Sequence, residues 1–263
     1  MKALVIGATG VAGSSAIQAL RQHFGDTVNI TGLWYASKEK TVDIEGVDSA
    51  LFGDIANPEC VQNIIADSGS DYDWCFFATA LGDVGFPIDE ANQEQIDSAN
   101  RLSFDPLLSL ESQLNIGTLV AYSTFYSLDH QKITYGAMGH SKHAIEQWAA
   151  VDTGRSRHLC IRAGAFRSSS SQGIKLLVRR RAKQLAESSN PLLRGFFAGE
   201  KPSVAVENME RAVFDEEKTV YGDTHTDISG LTAAHLEGFE YPDSVFVNVC
   251  GERVWRSETP QEL

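Results

Sequence analysis

The sequence predicts an α/β fold, a doubly wound parallel sheet in a single domain over residues 1–263, with a small cap formed within residues 168–243. Three observations predict it. Short apolar runs alternate with amphipathic stretches along most of the chain, as strands and covering helices do. A glycine-rich turn joins the first run to the first helix. A hydrophobic content of 43% over 263 residues is enough to bury the core of one large domain.

The elements follow in order. ALVIGA (3–8) is a wholly apolar strand, and Ala12, Ala16, Ile17 and Leu20 then recur at helical spacing until Gly25 offers a stop. VNITGLWY (28–35), the short LFGDI (51–55), WCFFATA (74–80), TLVAYST (118–124), HLCIRAG (158–164) and SVFVNVC (244–250) are the further strands. Two segments break the alternation. SSSSQGIKLLVRRRAKQL (168–185) reads as a polar, mobile loop leading into a basic helix, and 186–243 is long, partly acidic and punctuated by Gly and Pro. Together they supply the cap.

Charge and cysteine usage exclude several classes. With 22 Lys and Arg against 35 Asp and Glu the net charge is −13, which disfavours nucleic acid and anionic membrane surfaces as partners. Cys60, Cys75, Cys160 and Cys250 form no CxxC or Cys/His cluster, so neither a disulfide framework nor a metal site is expected. The Asp223–Asp227 stretch matches no metal loop and reads as a polar turn, and His140 and His143 read as surface residues. No apolar run is long enough to cross a bilayer, and the Gly-broken N-terminus does not read as a signal peptide; a cytoplasmic setting is expected.

Gly7, Gly10 and Gly13 stand where a tight turn, close approach to a pyrophosphate and helix-on-strand packing require glycine. The helix N-terminus at Val11 and Ala12, with Thr9 before it, offers unpaired N–H groups to phosphates. A dinucleotide is therefore expected. The second strand ends Trp34-Tyr35-Ala36-Ser37-Lys38, with no acid to hold two ribose hydroxyls, and Ser37 and Lys38 suit a 2′-phosphate, favouring NADP(H) over NAD(H). Asp54 and Ile55 are candidates for the adenine edge, and Ala78, Thr79 and Ala80 for the floor beneath the cofactor. Ser123 and Thr124 end the strand that leads to the site.

With this order of elements residues 1–180 resemble the short-chain dehydrogenase/reductase superfamily, Rossmann-fold enzymes in which a Tyr transfers a proton and a Lys four residues later binds the nicotinamide ribose. Lys142 fits the Lys; Met138 occupies the Tyr position. Tyr135 lies seven residues before Lys142, a rotation of about 700° if both stand on one helix, which puts them on one face roughly 10.5 Å apart. Such a displaced phenol suits conjugate reduction, where charge develops on a thioester oxygen that is not adjacent to the carbon accepting hydride. The spacing is similar to that of enoyl-acyl-carrier-protein reductases, with Tyr135, Met138-Gly139, Ser141-Lys142 and Ala144-Ile145-Glu146 matching their motif. Their stretch contacting nicotinamide and pyrophosphate is matched by Arg162 to Ser168, which implies cofactor contacts for Ala165, Phe166 and Ser168. The glycine turn instead resembles extended or atypical members, and Ala165 replaces a Pro. A second aromatic hydroxyl of those reductases falls on Phe125, with Tyr126 one later.

The resemblance implies reduction of an enoyl thioester with NADPH, with Tyr135, Lys142, Ser123 and Tyr126 as catalytic candidates, in a homodimer or homotetramer. A carbonyl reductase and a non-catalytic NADP-binding sensor are the alternatives. The local basic run Lys175, Arg179, Arg180, Arg181 and Lys183 is either a solvated face or a dock for an acidic acyl carrier protein.

Overall fold

The computed structural model describes residues 1–36 and 42–263. In chain order the first half runs β1 (Lys2–Ile6), α1 (Val11–Phe24), β2 (Asn29–Trp34), β3 (Ser49–Phe52), α2 (Glu59–Ser68), β4 (Asp71–Phe77), α3 (Gln93–Ser103), α4 (Asp105–Gln113) and β5 (Asn115–Thr124). The second half runs α5 (Asp129–Lys132), α6 (Gly136–Ala149), β6 (Arg157–Ala163), α7 (Ser169–Arg180), α8 (Ala182–Ala186), α9 (Pro191–Phe197), α10 (Pro202–Tyr221), α11 (Ile228–Glu240), β7 (Phe246–Cys250) and β8 (Arg253–Ser257). The strands form one sheet in the order β3-β2-β1-β4-β5-β6-β7-β8. All neighbours are parallel except β7 and β8.

The strands are apolar throughout because both faces of the sheet are covered. In β1, Leu4 and Ile6 join the cluster that includes α2, α4 and α6, whereas Ala3 and Val5 join the opposite one with α1 and α11. The period-2 alternation of a strand assigns neighbours to opposite layers. The order reverses between β1 and β4, which opens a crevice at the carboxyl ends of these strands.

Every predicted strand forms. Strand β8 was not expected: Arg253-Val-Trp-Arg-Ser is short and carries two charges, and it pairs through a two-residue turn at Gly251-Glu252 as an antiparallel edge. The cap is smaller than predicted. Helices α7 to α10 bury their own cluster, including Val178, Leu185, Leu193, Val206 and Met209, but α11 lies against α1 in the main layer. The serine run is also not a loop: Ser168 caps α7, and Ser169 to Ser171 form its first turn.

A buried ion pair joins the elements below the crevice. The Glu146 carboxylate on α6 accepts hydrogen bonds from Arg162 on β6 at 3.0 and 2.6 Å, from Ser123 on β5 at 2.6 Å, and from the backbone and side chain of Gln261 at 2.8 and 2.7 Å. Glu146 is wholly buried and Arg162 is 5% exposed. Desolvating two charges is costly, and these contacts offset the cost only as a set. Glu146→Ala leaves the guanidinium uncompensated in the core and should lower unfolding free energy by about 3–5 kcal/mol, measured by urea denaturation; a loss below 1 kcal/mol would show that water reaches the pair.

Candidate active site

The crevice begins at the glycine turn. Gly7 has φ +79°, a conformation costly for residues with a Cβ, and a Cβ there would sit 2.7 Å from the Ala78 carbonyl oxygen. A Cβ on Gly13 would meet the Gly7 carbonyl oxygen at 2.3 Å, so α1 packs against the turn with no room for a side chain. Gly7 and Ala8 donate their amides to the Leu33 carbonyl, and Gly10 donates to Gly7. The amides of Thr9, Val11, Ala12 and Gly13 find no backbone acceptor among the described residues. Next to Gly7 at the end of β4, the Thr79 hydroxyl is buried and has no partner. Free amides at a helix N-terminus and an orphan hydroxyl fit a dinucleotide's pyrophosphate and adjoining sugar.

At the end of β5, Tyr135 stands half-buried immediately before α6. It is not on that helix. Gly136 takes φ +50°, which breaks the helical phase between Tyr135 and Lys142, so the shared-face expectation does not hold. The break is fixed by packing: a Cβ on Gly136 would lie 2.7 Å from the Asp83 carbonyl oxygen and 2.9 Å from the Phe86 ring. The loop after β4 thus rests on the start of α6, with Gly85 donating to the Thr134 carbonyl and Gly136 to the Phe86 carbonyl.

The Tyr135 phenol faces the Thr124 hydroxyl. Burial, with a smaller effect of the Glu217 charge, raises it to about 12 against the opposing effect of that hydroxyl. Thr124 donates to the Gln131 side-chain oxygen at 3.0 Å, and the Gln131 amide donates to Glu217 at 3.0 Å. Glu217, wholly buried on α10, also accepts the Ala165 amide at 2.7 Å, and desolvation pushes its carboxyl up to about 7. Sequence reading missed Gln131 and Glu217 because both lie in charged runs that look solvated. One signal was present: Ala205, Met209 and Glu217 fall on one stripe of α10, so Glu217 occupies a position where an apolar residue is expected.

The other predicted residues divide. Lys142 is 6% exposed and donates to the Tyr122 carbonyl at 2.8 Å; desolvation pulls its amine down to about 8. Ser123 and Tyr126 do not reach Tyr135. Successive residues of β5 face opposite layers, so Ser123 turns toward Glu146 while Thr124 turns toward Tyr135. Tyr126 is fully buried, its hydroxyl donating to the Gln261 carbonyl at 3.0 Å and meeting His143 at 3.1 Å. Phe125 stacks on Trp255 and packs on Tyr221.

Of the cofactor candidates, Ala78 and Ala80 continue from β4 past Gly7, and the Ala78 amide bonds the Ile6 carbonyl. Asp54 caps its own turn through the Ala56 amide, and Ile55 is buried beneath it. The Ala165 amide is taken by Glu217, Phe166 packs on the α1/α11 layer, and Ser168 spends its hydroxyl capping α7 through the Ser171 amide. Ser37 and Lys38 lie outside the described residues. In the basic run, Lys175 pairs with Glu210, and Arg181 pairs with Asp83 at 2.8 Å and with the Val84 carbonyl at 2.9 Å. A cavity of about 750 Å³ at the amino ends of the strands, bordered by Lys2, Asp71, Asp73 and Arg155, lies at the opposite end of the sheet.

No protein-family model matches the chain, and no curated protein sequence does. Solved structures do. An NAD⁺-bound xylitol dehydrogenase superposes with a TM-score of 0.63 at 18% identity, covering 95% of this chain and 98% of the other. A short-chain dehydrogenase/reductase of Saccharomyces cerevisiae gives 0.61 at 15% identity, over 94% and 95%. The fold is that of the short-chain dehydrogenases/reductases. A closed serine dehydrogenase complexed with NADP⁺ gives 0.53 at 14% identity, over 80% and 88%. Against this short-chain dehydrogenase/reductase fold, the crevice between the glycine turn and Tyr135 occupies the ligand-binding end of the sheet.

Gly13→Ala should weaken binding of NADPH or NADH at least tenfold, about 1.4 kcal/mol, in calorimetric titration. Unchanged affinity would mean that the turn does not hold the phosphates. Glu217 yields a second expectation. Its folded-state value of about 7 lies above the ordinary 4.5, so folding takes up a proton between those limits. That stabilisation is complete below 4.5 and is lost as pH rises through 7. Relative to Glu217→Gln, the native chain should lose roughly 3 kcal/mol across this window in denaturation at stepped pH; a pH-independent difference would place water on the carboxyl.

Proposed function

We propose that the chain is a nicotinamide-dinucleotide-dependent oxidoreductase in which Tyr135 transfers the proton. The observation that carries this reading is the placement of two features at the same end of the sheet: a glycine turn with free amides after β1 and a phenol–hydroxyl pair, Tyr135 and Thr124, after β5. The xylitol and serine dehydrogenases that share the fold carry NAD⁺ and NADP⁺. A bound dinucleotide supplies or accepts the hydride; the residues bind, orient and move the proton. Thr9, Val11 and Ala12 offer amides to the pyrophosphate. Lys142 has three donors and spends one on Tyr122, leaving two for the ribose.

The substrate is read as a carbonyl or its alcohol. A phenol at the crevice can exchange its proton with a single oxygen, the arrangement that hydride transfer at a carbonyl carbon requires. Thr124 spends its hydrogen on Gln131, so in this reading the proton given to the oxygen that gains charge comes from Tyr135. Reduction of an enoyl thioester is the second reading, favoured by the seven-residue Tyr135–Lys142 spacing and Met138. In that reading an acidic carrier would meet Arg179, Arg180 and Lys183, the exposed cations of the run. The preference for NADP(H) rests on the missing acid at the end of β2.

The test follows NADPH and NADH oxidation at 340 nm against panels of ketones, ketoacyl thioesters and enoyl thioesters. Turnover of ketones with NADPH at the higher rate is expected, and turnover of enoyl thioesters alone would establish the second reading. Tyr135→Phe should cost about 10²–10³ in rate with dinucleotide affinity retained, as for loss of one donor to a developing oxyanion. Lys142→Ala should lower both. A fully active Tyr135→Phe variant would remove the phenol from the chemistry.

A further inference from the structure

Beyond β8 the described chain forms no helix or strand, yet one residue of that segment is engaged at every polar atom it has. Gln261 donates its backbone N–H to Glu146 Oε2 at 2.8 Å and accepts the Tyr126 hydroxyl on its carbonyl at 3.0 Å. Its side-chain amide donates to Glu146 Oε1 at 2.7 Å and to the Thr124 carbonyl at 2.8 Å, and its side-chain oxygen accepts the Ser127 hydroxyl at 2.7 Å. Arg162 adds a bond of 3.3 Å to the Thr259 carbonyl. The residue is bound as a ligand is bound.

The groups that hold Gln261 belong to the core, whereas the segment that carries it does not. Thr124, Tyr126 and Glu146 are 7%, 0% and 0% exposed, while Glu258, Thr259, Glu262 and Leu263 are exposed. Among the described residues neither Pro260 nor Leu263 joins a hydrophobic cluster, so polar complementarity rather than apolar burial keeps the segment in place. Hydrogen bonds that exchange with water each contribute modestly, and such a contact can open while the core stays closed. The socket is also selective. Both N–H groups of the side-chain amide meet oxygens that only accept, a carboxylate and a backbone carbonyl. A glutamate of the same shape would set a second carboxylate against Glu146, and an asparagine would be one methylene short.

Lys142 stands one turn before Glu146 on α6 and donates to the Tyr122 carbonyl of β5. Gln261 bridges the same helix and the same strand one turn further on, between Glu146 and the Thr124 carbonyl. When it leaves, Ser123 remains as the hydrogen bond from β5 to Glu146.

We propose that Glu146, Thr124, Tyr126 and Ser127 form a binding site for a glutamine-bearing peptide segment, filled in cis by residues 258–263, and that filling it positions Lys142 for the dinucleotide. The second half rests on the reading of Lys142 as a ribose ligand; the first half does not. Gln261 is then a tethered ligand, and a segment of another chain that presents a glutamine between a free N–H and a free carbonyl can take its place.

The experiment uses the full chain, native and Gln261→Glu, and a fluorescein-labelled peptide with the sequence of residues 258–263, titrated by fluorescence anisotropy. In the native chain the tether holds the segment at millimolar effective concentration, so the peptide should bind the Gln261→Glu chain at least about tenfold more tightly. The same peptide with glutamate at its central position should bind that chain about tenfold less well, because it leaves buried acceptors unfilled. Equal binding to both chains, equal binding of both peptides, or no binding at all overturns the proposal. If Gln261→Glu fails to fold, Gln261→Ala, which loses only the side-chain bonds, takes its place in the same comparison.

Calorimetric titration with NADPH then tests the positioning of Lys142. Gln261→Glu should weaken NADPH by roughly threefold or more, and the unlabelled glutamine peptide should restore the affinity while the glutamate peptide does not. A loss that the glutamine peptide fails to restore, or an NADPH affinity that does not change, overturns the positioning role. A native chain that binds neither NADPH nor NADH would overturn the functional reading instead, and the anisotropy comparison would still decide the peptide site.

Discussion

The buried carboxylate of Glu146 is the interaction on which the arrangement of the site depends. A charge in the interior is tolerated only when its acceptor sites are filled, and here the fillers come from β5, β6 and the segment after β8. Because Ser123 is one of them, the orientation of the end of β5 is fixed, and the next residue must face the other way. Thr124 is thereby aimed at Tyr135. Gln261 reinforces this by donating to the Thr124 carbonyl at 2.8 Å while it bonds Glu146. The ion pair holds the strand end that carries Thr124.

A second buried acid works differently. Glu146 has a full cation against it, whereas Glu217 has only neutral donors, an amide from Ala165 and an amide from Gln131. Desolvation is therefore not offset by opposite charge, and its carboxyl moves toward neutrality. Two glutamates of equal burial thus differ in what surrounds them, one paired with Arg162 and the other held by neutral donors alone. The difference lies in the company each keeps.

The fold was largely legible because it depends on period and punctuation. Apolar runs in parallel strands and the glycines at 7, 10 and 13 are local signals, and the sheet assembled from them as expected. Strand β8 was not legible, since an edge strand needs no continuous apolar run and Arg253 and Arg256 disguise it. The site was only partly legible. Its Tyr was visible, but treating Tyr135 and Lys142 as parts of one helix failed at Gly136, whose positive φ is imposed by Asp83 and Phe86 from a loop fifty residues earlier in the chain. Ser123 and Thr124 were ambiguous as neighbours, and only the identity of the buried acid behind Ser123 resolves which one faces the crevice. Gln131 and Glu217 were hidden in charged runs, because sequence alone does not show which member of such a run points inward.

Helix α10 has a consequence for modularity. Caps on sheets of this type are natural places for insertion and exchange, since they bury their own small core and tune what the crevice admits. In this chain the cap also carries Glu217, which bonds Gln131 and through it Thr124, and whose charge raises the Tyr135 phenol. A transplanted cap with the same shape and a leucine at this position would fill the space and leave Gln131 and the Ala165 amide facing hydrocarbon. Substrate range and the electronic setting of the phenol are therefore inherited together, and variation in one drags the other with it.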